Sequence, residues 1–388
     1  MDVTQHEADE RFRAEIRGWL EENLTGRFAD LRGKGGSGRE HEDFEARLEW
    51  NRHMAASGWS CVAWPVEYGG RGLSISQQVI FHEEYARADA PARVNHLGEE
   101  LVGPTLIAHG SDEQKVRFLP KIAAVEELWC QGYSEPGAGS DLAAVSTKAV
   151  PDGDSWVING QKVWTSLAQN AQWCFVIART EAGSTRHKGL SYLLVPMEQP
   201  GVEVRPILQL TATSEFNEVF FDDARTDASY VVGGEGNGFK VAMATLGFER
   251  GVSTLAQQIA FRREFDAVIA TAERTGAIQE AVVRDRLVKA RMDLEVIRQH
   301  ALRTLGGEQG DAASVAKLLW SNWHRSLGEL AMEVAGADSL VVGPEYALDD
   351  LQTLFLFSRA DTIYGGSDEI QRNVIAERVL GLPREARP

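Results

Sequence analysis

Few stretches of this chain carry side chains whose types and spacing could do chemistry. Tyr133-Ser134-Glu135-Pro136-Gly137-Ala138-Gly139-Ser140-Asp141 is a Pro/Gly turn whose hydroxyls and carboxylates can cap backbone groups. It lacks the Gly-Lys-Ser/Thr ending of a phosphate loop. Twenty residues on stands Gln161-Lys162-Val163-Trp164-Thr165-Ser166, an indole among hydroxyls. Gly366-Ser367-Asp368 ahead of an apolar run reads as a helix N-terminal cap, and such a terminus is a natural anion site. Glu249-Arg250 is either an ordinary exposed charge pair on a helix or a carboxylate set beside a guanidinium for proton transfer. None of the nine histidines shows paired metal-ligand spacing, so no metal is expected. Cys61, Cys130 and Cys174 are too far apart for a CxxC site.

The elements that must position these residues follow the order helices, strands, helices. Phe12, Ile16, Trp19 and Leu20 recur at helical spacing, as do Phe44, Leu48 and the region through Met54, predicting a helical domain over 1–125. The glycines between Gly33 and Gly38 break it and predict a mobile surface loop. Over 126–235 the pattern changes to short apolar runs bounded by turns, such as Trp156-Val157-Ile158 ahead of Asn159-Gly160 and Val219-Phe220-Phe221, predicting a compact β domain. Over 236–388 helical spacing returns. Val283, Leu287, Ala290, Leu294 and Ile297 form one apolar face, and Leu319, Trp323, Leu327, Leu330 and Val334 another. Long amphipathic helices with short connections predict a four-helix bundle. The fold class is therefore α+β.

Composition narrows the partners. A net charge of -17 argues against a nucleic-acid partner, because that affinity comes from clustered Lys and Arg. No apolar run is long enough to predict a membrane span. The N-terminus shows no basic region followed by an apolar run, so no signal peptide is expected. Three scattered cysteines fit a reducing, cytoplasmic environment.

Taken together, Tyr133–Asp141, Gln161–Ser166 and Ile363–Asn373 resemble, in order and spacing, the flavin-binding signatures of the acyl-CoA dehydrogenases. The resemblance runs on through Trp64-Pro65, Tyr68–Leu73 and Gly238–Met243, and so covers essentially the whole chain. It implies an N-terminal helical domain, a middle β-barrel-like domain and a C-terminal bundle that bind FAD. By resemblance, Gln131, Tyr133 and Ser134 line the isoalloxazine, with Ser134 bonded to its polar edge. Trp164 packs on the ring, Ser166 donates toward N5, and Ser140 meets the CoA part of the substrate. The alternative reading of Trp164 is plain β-domain core, since most tryptophans are buried for packing. Ser367, Asp368 and Glu369 match the stretch that meets the adenosine-diphosphate half of the flavin, and Arg274 the arginine that reaches a neighbouring subunit's flavin. Around Arg274 the usual Phe-Gly is missing, Arg284 stands near the expected Gln, and Glu333-Val334-Ala335-Gly336-Ala337 alters the usual Gln-x-x-Gly-Gly loop.

One departure bears on mechanism. After the motif's Tyr, many family members carry the Glu that removes the substrate's α-proton; here that position is Gly365. In the family the backbone N–H at this position helps hold the thioester carbonyl, and by resemblance Gly365 keeps that donor, so a carboxylate must come from elsewhere if the enzyme works. Glu249 sits where another branch of the family keeps its base, with Arg250 matching a family arginine near the substrate. This pattern is similar to the relocated-base, actinobacterial FadE-type branch, several of whose members act on steroid-derived thioesters. It implies a dehydrogenase in which Glu249 takes the pro-R α-proton, hydride leaves Cβ, a trans-2-enoyl-CoA forms, and electron transfer flavoprotein is the oxidant. The open space at Gly365 suits a bulky or branched acyl group. The family implies a homotetramer or dimer of dimers, and some relatives pair two different chains. An acyl-CoA oxidase and a non-catalytic subunit of a heteromer are the alternatives.

Overall fold

The computed structural model describes residues 3–248, 253–305 and 313–384. Helices come first: α1 (Val3–Asn23), α2 (Phe44–Ala56), α3 (Ile75–Arg87), α4 (Gly103–His109) and α5 (Asp112–Ala123), with a π-helical turn over Leu97–Val102. Their starts are chemically marked. Ser74 and Gln77 close a capping box at α3, and Ser111 and Gln114 another at α5. Gln114 does a second job, donating from Nε2 to the carbonyls of Ser229 (2.6 Å) and Val231 (3.0 Å), which ties α5 to the strand region.

The strands are β1 (Trp129–Gly132), β2 (Lys148–Asp152), β3 (Ser155–Ser166), β4 (Trp173–Arg179), β5 (Leu190–Pro196), β6 (Val202–Pro206), β7 (Phe216–Asp227) and β8 (Val231–Val232). They form one mixed sheet in the order β6-β7-β3-β2-β4-β5-β8, with β1 parallel to β4. Strand β4 is buried on both faces, which explains its unbroken apolar sequence. Its Trp173, Phe175 and Ile177 pack with Leu101, Phe118 and Ile122 of the helical region. Its Cys174, Val176 and Ala178 pack instead with Ile158, Val219 and Phe221 of β3 and β7. Because β7 and β5 are not sheet neighbours, that shared core requires the sheet to curl over on itself, giving the barrel-like form. Thr226 Oγ1 of β7 donates to Leu194 O of β5 at 2.5 Å across the curl.

Helices α6 (Gly238–Phe248), α7 (Ser253–Thr275), α8 (Ala281–Leu305), α9 (Ala313–Ala335), α10 (Asp350–Asp361) and α11 (Asp368–Val374) follow. The predicted apolar faces of α8 and α9 meet Phe261, Phe265 and Val268 of α7 and Leu354 of α10 in one core, the four-helix bundle. Each large side chain buried there contributes about 1.5–3 kcal/mol.

The glycine-rich segment departs from expectation. It is a packed strap rather than a free surface loop. Gly33 N–H donates to Asp89 O (2.8 Å), and Ala92 N–H to Lys34 O (2.9 Å). A side chain at Gly38 would stand 2.8 Å from the Phe357 ring of α10, and at φ +79°. The glycines therefore serve close approach and left-handed backbone, a role that composition does not distinguish from mobility.

Candidate active site

Strand β3 sets the first half of the site. Opposite β7, Lys162 pairs with Val219 and Thr165 with Asn217, so Val163 and Trp164 together stand against Glu218 alone. This is a β-bulge, which re-aims the side chain of its extra residue. Trp164 takes φ +60°, a left-handed conformation uncommon outside glycine and costly for a bulky side chain. The result is an indole 58% exposed, steadied at its edge by Phe216 with ring centroids 6.2 Å apart. Trp129, Trp156 and Trp173 of the same sheet are buried, so the core reading of Trp164 does not hold.

The bulge lies against the Tyr133–Asp141 turn. Val163 N–H donates to Ser134 O at 2.9 Å, joining the two segments. Beneath them lies an ion pair that sequence inspection did not single out. Lys162, fully buried, places Nζ 2.8 Å from Glu135 Oε1 and also donates to the carbonyls of Tyr133 (3.1 Å) and Ile177 (2.7 Å). Glu135 accepts further from Ser146 N–H and Oγ and from Thr147 N–H. Burial alone would raise the Glu135 carboxyl, but Lys162 and these donors hold it down at about 2. The only hint in the sequence was a polar pair inside two apolar-flanked motifs.

Around this scaffold, Ser134 and Ser166 are half-buried. Gln131 keeps its Nε2 buried and without a hydrogen-bond partner among the described residues, a donor aimed at something the chain does not supply. The Tyr133 ring instead lies in the core between Phe175 and Tyr192, and its carbonyl accepts from the buried Lys162, so its side chain does not line that face. Ser140 is exposed on the turn. An exposed aromatic plane, an orphaned amide donor and two hydroxyls fit a planar, polar-edged ring such as an isoalloxazine.

The second half of the site is the loop between α10 and α11. Gly365 and Gly366 take φ +62° and +90°, and a Cβ at Gly365 would sit 3.8 Å from Lys317 Cε and Nζ. The Lys317 ammonium lies 4.0 Å from the Trp320 ring centroid and 4.3 Å from that of Tyr364. Ser367 caps α11 by accepting from Ile370 N–H at 3.4 Å. Asp368 is buried and spent within the protein, accepting from Asn322 Nδ2 (2.8 Å) and Ser321 Oγ (3.4 Å) of α9. Glu369 is exposed, and its carboxyl is held below the usual range by its own N–H and by Ser367.

Arg274 is exposed in the last turn of α7. The residues that depart from the family pattern there have local partners: Arg284 donates to Ile278 O (3.2 Å) and Gln279 O (2.6 Å), and Glu333 pairs with Arg286. Glu249 and Arg250 lie outside the described residues, in the connection between α6 and α7. No cluster that could hold a metal ion occurs among the described residues. No described helix is long and apolar enough to cross a membrane.

Comparison with known proteins accounts for nearly all of this chain. Residues 6–126, 130–224 and 236–380 match the N-terminal, middle and C-terminal domains of acyl-CoA dehydrogenase. Acyl-CoA dehydrogenase IpdE1 of Mycobacterium tuberculosis is 64% identical over 97% of this chain and 99% of its own length. Among solved structures, the Tcur3481-Tcur3483 steroid ACAD superposes with a TM-score of 0.84 at 30% identity, covering 99% of this chain and 100% of that one. The ChsE4-ChsE5 complex from Mycobacterium tuberculosis does so with a TM-score of 0.80 at 31% identity, over 99% and 100% of the two chains. The chain belongs to the acyl-CoA dehydrogenase family, whose members are FAD-dependent oxidoreductases.

Proposed function

We propose that this chain binds FAD and desaturates a bulky, branched or steroid-derived acyl-CoA, with Glu249 as the base and electron transfer flavoprotein as the oxidant. The observation that carries the flavin assignment is the strained, solvent-facing Trp164 beside Ser134, Ser166 and the unpartnered Gln131 amide. A left-handed tryptophan held out of the core is costly, and a ring stacked on it offsets that cost. Bound FAD supplies the acceptor for the β-hydrogen. The chain's own residues do the rest. Trp164 excludes water from the reacting face, and Ser134 and Ser166 offer hydroxyls where negative charge accumulates. Ser367 and Glu369 lie on the segment that meets the adenosine-diphosphate half, with Asp368 supporting it from within, and the exposed Arg274 is the arginine that reaches a neighbouring subunit's flavin.

The backbone N–H of Gly365 holds the thioester carbonyl as the α-proton leaves to Glu249. Arg250 orients the substrate nearby, and Ser140 meets its CoA portion. With no side chain at 365, room remains beside the α- and β-carbons, and the names of the steroid ACAD relatives favour a ring-bearing acyl group. Two of the solved relatives are named as pairs, which favours a second reading of the assembly, a heteromer over a homotetramer. An apolar stripe on α8, with Val288, Met292 and Val296 all more than half exposed, is available to such a partner.

The test is rapid mixing of flavin-loaded protein with straight, branched and steroid-derived acyl-CoAs while flavin absorbance is followed. Preferential bleaching by the ring-bearing thioesters is expected. Protein that purifies without flavin and takes none up would move the chain to the non-catalytic subunit reading. Bleaching followed by rapid oxygen consumption would move it to the oxidases.

A further inference from the structure

Behind the Gly365 loop, four ionisable groups from three helices meet in the bundle. His324 of α9 is 5% exposed and stacks on Phe261 at 4.4 Å between ring centroids. Its Nδ1 lies 2.5 Å from Asp361 Oδ2 of α10, and its Nε2 2.7 Å from Glu264 Oε2 of α7. Both ring nitrogens therefore face carboxylate oxygens, and only the doubly protonated imidazolium can donate to both. Asp361 is the last residue of α10 and 1% exposed. Its other oxygen accepts from Tyr364 OH at 2.8 Å, and its carbonyl from Lys317 Nζ at 2.5 Å. Lys317, Ser321 and His324 follow each other by four and three residues, so one face of α9 grips both sides of the loop.

Resting on the reading that this loop holds the substrate, we propose that His324 is a positioning residue: through Asp361 it sets the pose of Tyr364, Gly365 and Gly366, and hence of the Gly365 N–H. The loop is fastened at its ends, by Ile363 and Tyr364 N–H to Ala360 O (2.8 and 3.1 Å) and by Asp368 N–H to Thr362 O (3.1 Å), while its backbone turns left-handed at both glycines between them; there the clamp acts together with the Gln371 amide, 3.1 Å from Gly365 O. Removing the imidazolium leaves the buried Asp361 carboxylate facing the part-exposed Glu264 carboxylate with nothing positive between them, and like charges repel there. The groups that bear on the imidazolium are Glu264 from α7 and Asp361 from α10, with Lys317 two turns away on α9 and Arg39 of the N-terminal region beside Glu264. Burial opposes the charge on His324, but the Glu264 and Asp361 carboxylates outweigh it and bring its pKa to about 9.

The experiment compares the parent with H324Q and Y364F. Y364F cuts the link at its exposed end and leaves the buried cluster whole, so it reports even if H324Q folds poorly. Hydrogen exchange at pH 7 is read without substrate. Residues 362–367 should exchange about tenfold faster in both variants, while β4 is unchanged. Unchanged exchange at 362–367 in both variants would overturn the clamp. In turnover, flavin content should hold while kcat falls by up to about 10²-fold, the scale of a 1 Å misplacement. Parent kcat should also decline as pH rises through about 9, a limb H324Q lacks. A fall confined to KM, or the same alkaline limb in H324Q, would also overturn it. A parent that bleaches with no acyl-CoA while the exchange result holds would sink the functional reading and leave the clamp standing.

Discussion

At residue 365 the chain gives up a carboxylate that many relatives use, and two predictions follow from the loss. The first concerns Glu249. Glu249→Gln keeps size and most hydrogen bonds but removes the proton acceptor, so flavin should stay bound while bleaching by acyl-CoA slows by ~10²–10⁴-fold. Stopped-flow absorbance reads this directly, and full-rate bleaching would remove Glu249 from the mechanism. The second concerns Gly365→Glu. The backbone there, at φ +62°, disfavours any L side chain by about 1–2 kcal/mol. The Cβ of the new side chain would sit 3.8 Å from the Lys317 ammonium, close enough for that ammonium to hold the carboxylate as an ion pair rather than leave it free as a base. The variant should therefore lose turnover with a bulky thioester without gaining it with a straight one. Equal rates on the bulky substrate would refute the argument from space.

At the scale of elements, the β3 bulge shows how much the sequence could and could not convey. The strands, the bundle and the three signature segments were legible, because periodicity and turn residues are local signals. The pose of Trp164 was not, since nothing local distinguishes a core tryptophan from one turned out by an extra residue in the ladder. Lys162 with Glu135, and His324 with Asp361 and Glu264, are contacts between residues 27 to 60 positions apart. A lone Lys or His at such positions reads as surface. The Lys162–Glu135 pair fastens the bulge to the Tyr133–Asp141 turn, and removing one partner of a buried pair costs about 3–5 kcal/mol. Lys162→Met should lower stability at neutral pH by that order and reduce flavin retention. The Glu135 carboxyl titrates near 2 against an ordinary 4.5. Its contribution is thus present above about 4.5 and disappears as pH falls through about 2. Urea melts between pH 2 and 7 should show an acid limb in the parent that is flattened in Lys162→Met. An unaltered limb would mean the pair does not anchor the site.

For the molecule as a whole, the open question is what covers the bundle's outer face. Val288, Met292 and Val296 recur every four residues on α8, 58%, 63% and 55% exposed, although the opposite face of the same helix is buried in the bundle core. A helix with apolar residues on both faces is built to be covered on both. At about 25 cal/mol per Å² of apolar surface removed from water, such a stripe from each of two chains contributes several kcal/mol to association. Met292→Lys with Val296→Lys should therefore shift the purified protein to a smaller assembly in light scattering while leaving the monomer's helical content intact. The departures around Arg284 and Glu333, each paired within its own chain, bear on which partner is taken. If the cross-subunit flavin contacts have moved to a different protein, the chain expressed alone should hold less than one flavin per copy. Co-expression with a second acyl-CoA dehydrogenase chain should then restore full occupancy and turnover together. One flavin per chain and full turnover in the protein expressed alone would instead establish the homo-oligomer.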